Sequence, residues 1–319
     1  MAKKNKNEIV GQIQFVPDIN NRIKYVIPEV YKHDVKKSNI LILFIALDLS
    51  VIELRLINHL TTLMKPPHKD EKGNDVYCYD YTVSFKDICI QSHMPVNGKS
   101  YQLLYDGLVS LKKKSFTYIM SDVKQADVTF INGDIIRTPG KASFEVSKLM
   151  TPLLLDKKDN FTLYNPRYSM ILKSKYSVRT YEWLTALLKK EICIGEKKLR
   201  KRYKNGDIKE LTKDEKKEYV EKYNKNKHAV YDIKINMETY RNNLAVPKSI
   251  EGYQMLANKI LSRCKEEINM LSDIMIEDCF YEKETNSIVI KTRLKTTEEL
   301  TIVDEVIEKI INDIDEMWG

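Results

Sequence analysis

One order of elements occurs twice along this chain, and it narrows the folds open to it more than any single motif does. In the first half Ser50 and Glu53 have capping-box spacing, since a serine hydroxyl and a glutamate three residues on can satisfy free amide donors at a helix start. Leu54, Ile57 and Leu60 then repeat at helical spacing until Pro66 and Pro67, which predicts a helix ending near Met64. A short helix is signalled by Ser84, Asp87 and the apolar Phe85, Ile88 and Cys89, closing before Pro95. A longer helix from about Gly98 to Lys112 carries Tyr101, Leu104, Tyr105, Leu108 and Leu111 on one face, with Lys112, Lys113 and Lys114 at the negative end of its dipole. Phe116 to Met120 and Ala142 to Val146 read as strands with one long hairpin between them and a polar excursion around Asn132 and Gly133.

The second half repeats the order. A helix is predicted from about Ser177 to Lys190, a short one from Met237 to Leu244, and a long one from Ile250 to Leu271 with Ser249 as its N-cap. In the long helix Tyr253, Leu256, Ala257, Ile260, Leu261, Cys264 and Ile268 step by three and four and mark one buried stripe. Ile274 to Tyr281 and Ile288 to Leu294 alternate around the turn formers Thr285, Asn286 and Ser287. A closing helix from about Glu298 to Met317 is expected to turn Ile302, Val303, Val306, Ile310, Ile314 and Met317 inward.

Helix, short helix, longer helix and hairpin is the order of a winged helix-turn-helix, so the expected fold class is α+β with two tandem winged helix-turn-helix domains. A chain of 319 residues has room for two cores. The expected organisation is an N-terminal arm over 1–37, a first winged-helix domain over 38–160 and a second over 161–319. Within the second, 196–228 reads as an insertion, dense in Lys, Arg and Glu and almost without apolar periodicity. Its plainest reading is a solvated arm, either partly helical or mobile, with a DNA-backbone contact through Lys197, Lys198, Arg200, Lys201 and Arg202 as the lesser one.

The charge is unevenly placed. Eight acidic residues face one lysine between Thr296 and Gly319, a net −7 in a chain whose total is +8, so the rest carries +15. A body this basic points to a polyanionic partner, and nucleic acid is the default candidate. No signal-type apolar stretch follows the Lys/Asn-rich start, and the apolar run Ile40 to Leu47 is far short of the roughly 20 residues that span a bilayer. A cytoplasmic location without membrane attachment is therefore expected. Cys78, Cys89, Cys193, Cys264 and Cys279 lie far apart with no C-x-x-C pair, which suits thiols in a reducing compartment and predicts no metal and no cofactor.

The run from Leu172 to Leu184, LKSKYSVRTYEWL, resembles the signature that opens the second domain of iteron-binding plasmid replication initiators of the RepB type. Tyr253 to Asp273, with Lys259-Ile-Leu, Lys265-Glu-Glu-Ile-Asn269 and Ser272-Asp273, looks like that family's long third helix and the start of its wing. The likeness runs from about Leu49 to Leu294 and is weaker in the first half. Thr180 and Trp183 stand where such proteins more often carry leucine, and the 196–228 insertion is not typical of them. The resemblance implies binding to tandem origin repeats in double-stranded DNA to start replication. It also implies a monomer and dimer form, the dimer repressing the initiator's own gene through a contact in the first domain, and recruitment of a host replication initiator and the replicative helicase. Within the signature, Val178, Tyr181, Leu184 and Leu188 share one face and are expected to pack the core, with Arg179 pairing to a carboxylate rather than reading bases.

Because a helix fits the major groove, the third helix of each half is the natural reader. In the second domain the outward candidates for DNA are Lys248, Ser249, Gln254, Asn258, Lys259, Ser262 and Arg263, with Lys283, Lys291 and Arg293 on the wing. Asn97, Lys99, Ser100 and Gln102 are their counterparts in the first domain, and Lys112, Lys113 and Lys114 suit phosphates. A solvated face of an amphipathic helix is the competing reading for each.

Catalysis has no support in the sequence. The five histidines never form the His-x-His pair of a rolling-circle nickase, and Gly98-Lys99-Ser100 imitates a P-loop ending while its first glycine position holds His93. No catalytic residue is predicted, and the chain is read as no enzyme. A two-domain winged-helix transcription regulator without origin function is the alternative, and a structural partition adaptor is a third class.

Overall fold

The capping box at the first predicted helix forms in both directions: the Ser50 side chain accepts from the Glu53 amide, and the Glu53 carboxylate accepts from the Ser50 amide. The computed structural model describes residues 15–17, 23–25, 35–43, 48–65, 67–121, 124–155, 161–202 and 211–318. Most of the expected arm over 1–37 lies outside them, as do residues 44–47 of the apolar run; Leu41 and Ile42 of that run are buried in the core.

The elements begin with β1 (Phe15–Pro17), β2 (Ile23–Tyr25), β3 (Val35–Ser38), α1 (Asn39–Leu43), α2 (Val51–Leu63), β4 (His68–Lys69), β5 (Asp75–Val76), β6 (Asp80–Ser84), α3 (Phe85–Gln91) and α4 (Gly98–Lys113). Next come β7 (Ser115–Ser121), β8 (Lys124–Thr129), β9 (Ile131–Thr138), β10 (Lys141–Val146), α5 (Met150–Leu155), β11 (Phe161–Tyr164), α6 (Pro166–Ile171), α7 (Lys175–Arg202) and α8 (Lys213–Lys227). The chain continues through β12 (Tyr231–Asn236), α9 (Met237–Asn243), α10 (Gly252–Leu256), a π-helical stretch (Ala257–Leu261), α11 (Ser262–Leu271), β13 (Ile274–Glu282), β14 (Ser287–Leu294) and α12 (Thr297–Trp318). The fold is thus a mixture of helices and small antiparallel sheets, with helix, short helix, longer helix and hairpin recurring as α2, α3, α4 and as α7, α9, α10–α11.

Five expectations change. The strands at 116–120 and 142–146 exist but are not partners: β7 pairs with β8, while β10 lies between β6 and β9. The stretch between them folds into strands of its own because Val128, Phe130 and Ile131 bury in the core and Gly140, at φ +72, turns β9 tightly into β10. A strand precedes α9: in β12 the buried Ile233 and Ile235 alternate with exposed Asp232, Lys234 and Asn236, and it pairs with β14 along its length. Ser249 does not cap the long helix. The cap is Glu251, without a side-chain bond, and Gly252 at φ +64 makes the entry turn in a conformation that side chains disfavour.

The charged segment at 196–228 is partly helical, one of the forms expected of it, but it carries a small core of its own. α7 continues to Arg202, residues 203–210 lie outside the described residues, and α8 returns from a Thr212–Glu215 capping box. Leu199, Leu211 and Tyr219 bury together with Tyr223 against them, so a few widely spaced apolar side chains hold a helical hairpin. Among the α12 residues whose side chains are described, Val303 and Ile307 are buried, Val306 and Ile310 are half-buried and Ile302 is 61% exposed, the reverse of its expected direction; Ile314 and Met317 lie outside them. The helix packs against α11 and is rotated so that 303 and 307, four apart, lie in the core.

One apolar cluster runs through both halves, and α7 passes through it with Val178, Tyr181, Leu184 and Leu188 fully buried. β3, which crosses the expected boundary at 37, and β11, which follows the one at 160, form one small sheet. Beside it Lys37 and Glu182, at 1% and 0% exposure, meet at 2.8 Å. The Lys37 ammonium also donates to Asn58 Oδ1 at 3.1 Å, and the Tyr164 hydroxyl donates to Glu182 Oε1 at 2.9 Å. Arg179 approaches the other Glu182 oxygen at 3.4 Å and donates to the Ile42 carbonyl at 3.2 Å, as its predicted carboxylate pairing requires. From α2, Arg55 donates to the carbonyls of Met170 and Leu172 at 3.0 and 3.2 Å, tying that helix to the approach to α7.

Burial alone would raise the Glu182 carboxyl, but the charges of Lys37 and Arg179 and the bonds from Lys37 and Tyr164 hold it below the ordinary carboxylate range. A depressed carboxylate contributes stability above its unfolded value, near 4.3, and loses that contribution as pH falls through the folded value. Glu182→Gln leaves the Lys37 charge buried without a counter-ion and is expected to cost about 3–5 kcal/mol, read from the urea midpoint at neutral pH. Lys37→Met combined with Glu182→Leu should recover most of that loss; a double variant no more stable than the single one would place the cost in packing instead.

Candidate nucleic-acid interface

The long helix of the second half is a three-part rod, α10, the π-helical stretch and α11. Its inner side is made by Leu256, Ile260, Leu261, Cys264, Ile268 and Leu271, all buried. That packing leaves Gln254, Asn258 and Ser262, at four-residue steps, and Lys259 and Arg263, four apart, exposed on the outside. Lys248 and Ser249 are exposed on the turn that leads into the rod. All seven predicted residues of this element therefore face solvent. The π-helical stretch lies under Asn258 and Lys259, where its wider turn shifts the spacing of the outer residues relative to a regular α-helix.

The start of the rod is fixed to the hairpin beside it. Tyr253 stacks on Tyr281 with ring centroids 5.4 Å apart, and its hydroxyl donates to the Cys279 carbonyl at 2.9 Å. Tyr281 pairs with Ile288 next to the β13–β14 turn, where Asn286 at φ +49 closes the loop, so the start of the rod and the hairpin tip lie at one end of the sheet.

The three predicted hairpin cations differ in their surroundings. Lys283 is exposed at the tip. Lys291 is half-buried, its ammonium 5.6 Å from the Phe280 ring centre. Arg293 is committed within the chain: its guanidinium meets Glu277 at 2.8 Å and Glu299 through two contacts of 2.7 Å. The Arg293 bonds hold the Glu299 carboxyl down at about 2. This residue ties the hairpin base to α12 and is not a free cation for phosphate.

In the first half the predicted set divides in the same way. Lys99, Gln102, Lys112 and Lys113 are exposed along α4. Asn97 is the helix N-cap, its side chain accepting from the Ser100 amide at 2.9 Å, and Ser100 itself is only 7% exposed and faces the core side. Lys112 lies 3.7 Å from Asp134. Lys114 turns back to Glu53 at 2.8 Å and to the Asp48 carbonyl, so it closes the end of α4 onto the start of α2.

Sequence reasoning missed Arg137. From the end of β9 it donates to Gln102 Oε1 at 3.0 Å and lies 4.6 Å over the Tyr105 ring, which brings a third exposed cation beside Lys99 on α4 and Lys141 on β10. With Phe85, Tyr101, Thr138, Pro139 and Gly140 it lines a shallow cleft at the β9–β10 turn. Its signal was local, an arginine two residues before Pro139-Gly140, but its relation to α4 depends on how the hairpin packs.

Burial pushes the thiols of Cys89 and Cys264 up to about 12 and that of Cys279 to about 11, which disfavours the nucleophilic thiolate at these three positions. Among the described residues no group of three or more His, Cys, Asp or Glu is arranged to hold a metal ion, and no helix is long and apolar enough to cross a membrane.

Residues 34–185 match the protein family described as Initiator Replication protein, WH1. That match begins just before β3 and ends within α7, so it includes both Lys37 and Glu182. A crystal structure of selenomethionine derivatives of domain 2 and domain 3 of RctB aligns at a TM-score of 0.37 and 10% identity, over 77% of this chain and 81% of that one. No curated protein sequence matches.

The division between free and committed cations predicts opposite phenotypes. Arg293→Gln is expected to lower the melting temperature while changing duplex affinity by less than about twofold, because its partners are internal. Lys283→Gln should leave melting unchanged and reduce the slope of log affinity against log salt by about 1, as the loss of one phosphate contact does. A large affinity loss in Arg293→Gln at unchanged melting temperature would reverse the assignment.

Proposed function

We propose, from the match of residues 34–185 to the Initiator Replication protein, WH1 family, that the chain is a plasmid replication initiator that grips repeated origin sequences in double-stranded DNA through two tandem winged-helix domains. The observation that carries the reading is the outer side of the 252–271 rod. Lys248, Ser249, Gln254, Asn258, Lys259, Ser262 and Arg263 stand exposed beside a hairpin tip that carries Lys283, while the rod's other side is held in the core. A rod presented in this way fits the width of a major groove, and its side chains have the chemistry for base edges: Gln254 and Asn258 for adenine, Arg263 for guanine.

In this reading α4 serves the first domain as the 252–271 rod serves the second, with Lys99, Gln102, Arg137, Lys112 and Lys113 toward the duplex. Lys291 contributes to backbone contact from a half-buried position, whereas Asn97, Ser100, Lys114 and Arg293 support the elements that bear the contacts. The domains divide near α7, which packs against both halves. The initiator acts by binding and positioning rather than by chemistry of its own, so a host replication initiator and the replicative helicase are its expected partners at the opened origin. Repression of its own gene by a dimer follows from the same binding surface and is part of the proposal.

Arg263→Ala and Asn258→Ala are each expected to lower affinity for the cognate repeat by about 1–3 kcal/mol and to relax preference at one base position. The measurement is titration of the repeat array and of scrambled duplex of equal length across a salt series. Equal loss on both duplexes would make these residues phosphate contacts. A plasmid carrying the repeats should replicate only with an intact gene; replication independent of the gene, with specific binding retained, would make the protein a regulator.

A further inference from the structure

Two helices of this chain each present an exposed apolar side chain among charges, all basic within the arc on one helix and three acidic to one basic on the other. On α8 the side chains of Lys213, Lys217, Val220 and Lys227 fall within about 80° of the helix circumference, at 100° per residue. Val220 is 52% exposed, and the nearest acidic residue, Glu221, stands beyond the edge of that arc. On α12 Glu298, Ile302, Glu305 and Glu308 share the outer side with one cation, Lys309, and Ile302 is 61% exposed. Both strips face solvent, so neither covers the other within one chain.

Both helices leave the same end of the β12–β14–β13 sheet. In the register Tyr231 pairs with Thr292 at the base and Asn236 pairs with Ser287 at the hairpin tip. α8 is anchored at the base, where the Tyr231 hydroxyl donates to the Asn226 carbonyl at 2.8 Å and the His228 imidazole meets the Leu294 carbonyl at 3.2 Å. α12 starts three residues after Leu294, at the same base. The candidate DNA contacts at Lys248, Ser249, Gln254 and Lys283 lie toward the opposite end.

We infer that the α8 strip of one molecule docks on the α12 strip of a second copy of this chain, Val220 against Ile302, with lysines facing glutamates around them. An apolar centre does not suit a phosphate backbone, and an acidic strip repels one, whereas each strip is complementary to the other in both respects. Because the two patches are different surfaces, the contact is heterologous: every molecule added leaves one free strip of each kind, and assembly continues without closing. A symmetric dimer, by contrast, stops at two. The position of both strips away from the duplex-facing end leaves molecules on adjacent direct repeats free to use this contact. The inference goes beyond the DNA-binding reading and does not rest on it.

The test is sedimentation velocity of the full chain without DNA, at about 50 mM and about 500 mM salt, between which screening shortens from more than 10 Å to a few ångströms. Species larger than a dimer should grow with concentration at low salt and recede at high salt. Lys213→Glu with Lys217→Glu, and separately Glu305→Lys with Glu308→Lys, should each weaken that growth by roughly tenfold or more, and mixing the two variants should restore it, since their altered strips are again complementary. Val220→Ser and Ile302→Ser should weaken it without changing net charge, with circular dichroism confirming that every variant is folded. Growth that stops at the dimer, charge reversals without effect, or a mixture that fails to recover would each overturn the inference. A lysine reversal that lowers duplex affinity and leaves self-association intact would assign α8 to DNA instead.

Discussion

The junction of β3, α2, β11 and α7 is arranged around a carboxylate that cannot reach water. Glu182 sits in the middle of α7 with no exposure, and a buried charge is tolerated only when counter-charges and hydrogen bonds replace the lost hydration. Lys37 on β3, Tyr164 on β11 and Arg179 on its own helix surround Glu182. Asn58 on α2 completes the shell through Lys37. These groups come from positions up to 145 residues apart, so the network brings β3, α2, β11 and α7 into one arrangement. An apolar core alone tolerates small slips between elements; a shell of directed bonds around one carboxylate does not.

The network reaches beyond the first half because α7 also packs on the second. Trp183 stacks on Tyr240 of α9, Thr180 bonds the Tyr240 hydroxyl at 2.8 Å, and the Tyr181 hydroxyl donates to Asp273 at 2.9 Å. Thr180 and Trp183, the two departures from the leucines more usual in similar proteins, thus meet the same tyrosine. The geometry that holds the first half together is in this way continued to the base of the 252–271 rod and its hairpin.

Charge on this protein falls into three structurally distinct groups, which composition cannot separate. Lys37, Lys114 and Arg293 hold elements together inside the chain. Lys99, Lys259, Arg263 and Lys283 remain available to a polyanion. The lysines of α8 and the glutamates of α12 lie at a different end of the molecule and decorate apolar centres. A count of +8 sums over all of them. The hairpin of α7 and α8 was the hardest part to read from sequence because its core is three buried side chains and one partner, too few for periodicity to stand out from the surrounding lysines and glutamates.

The helices of the repeated pattern, the buried stripe of the 252–271 rod, the pairing of Arg179 and the outward direction of Gln254, Asn258, Lys259 and Arg263 were all legible along the chain, because helical periodicity and capping are local and need only neighbours within a few residues. Strand partners were not: β10 joins β6 and β9 rather than β7, and β3 joins β11, since pairing is decided by which edges meet after the core has formed. The direction of Ile302, the burial of Ser100 and the internal commitment of Lys114 and Arg293 were likewise hidden. Each depends on a group distant in sequence, and a side chain's local pattern limits which face it can occupy without saying what that face will meet. Local patterning along the chain sets the elements and their amphipathic faces, whereas the packing of distant segments sets which charges are consumed in building the fold and which stay exposed.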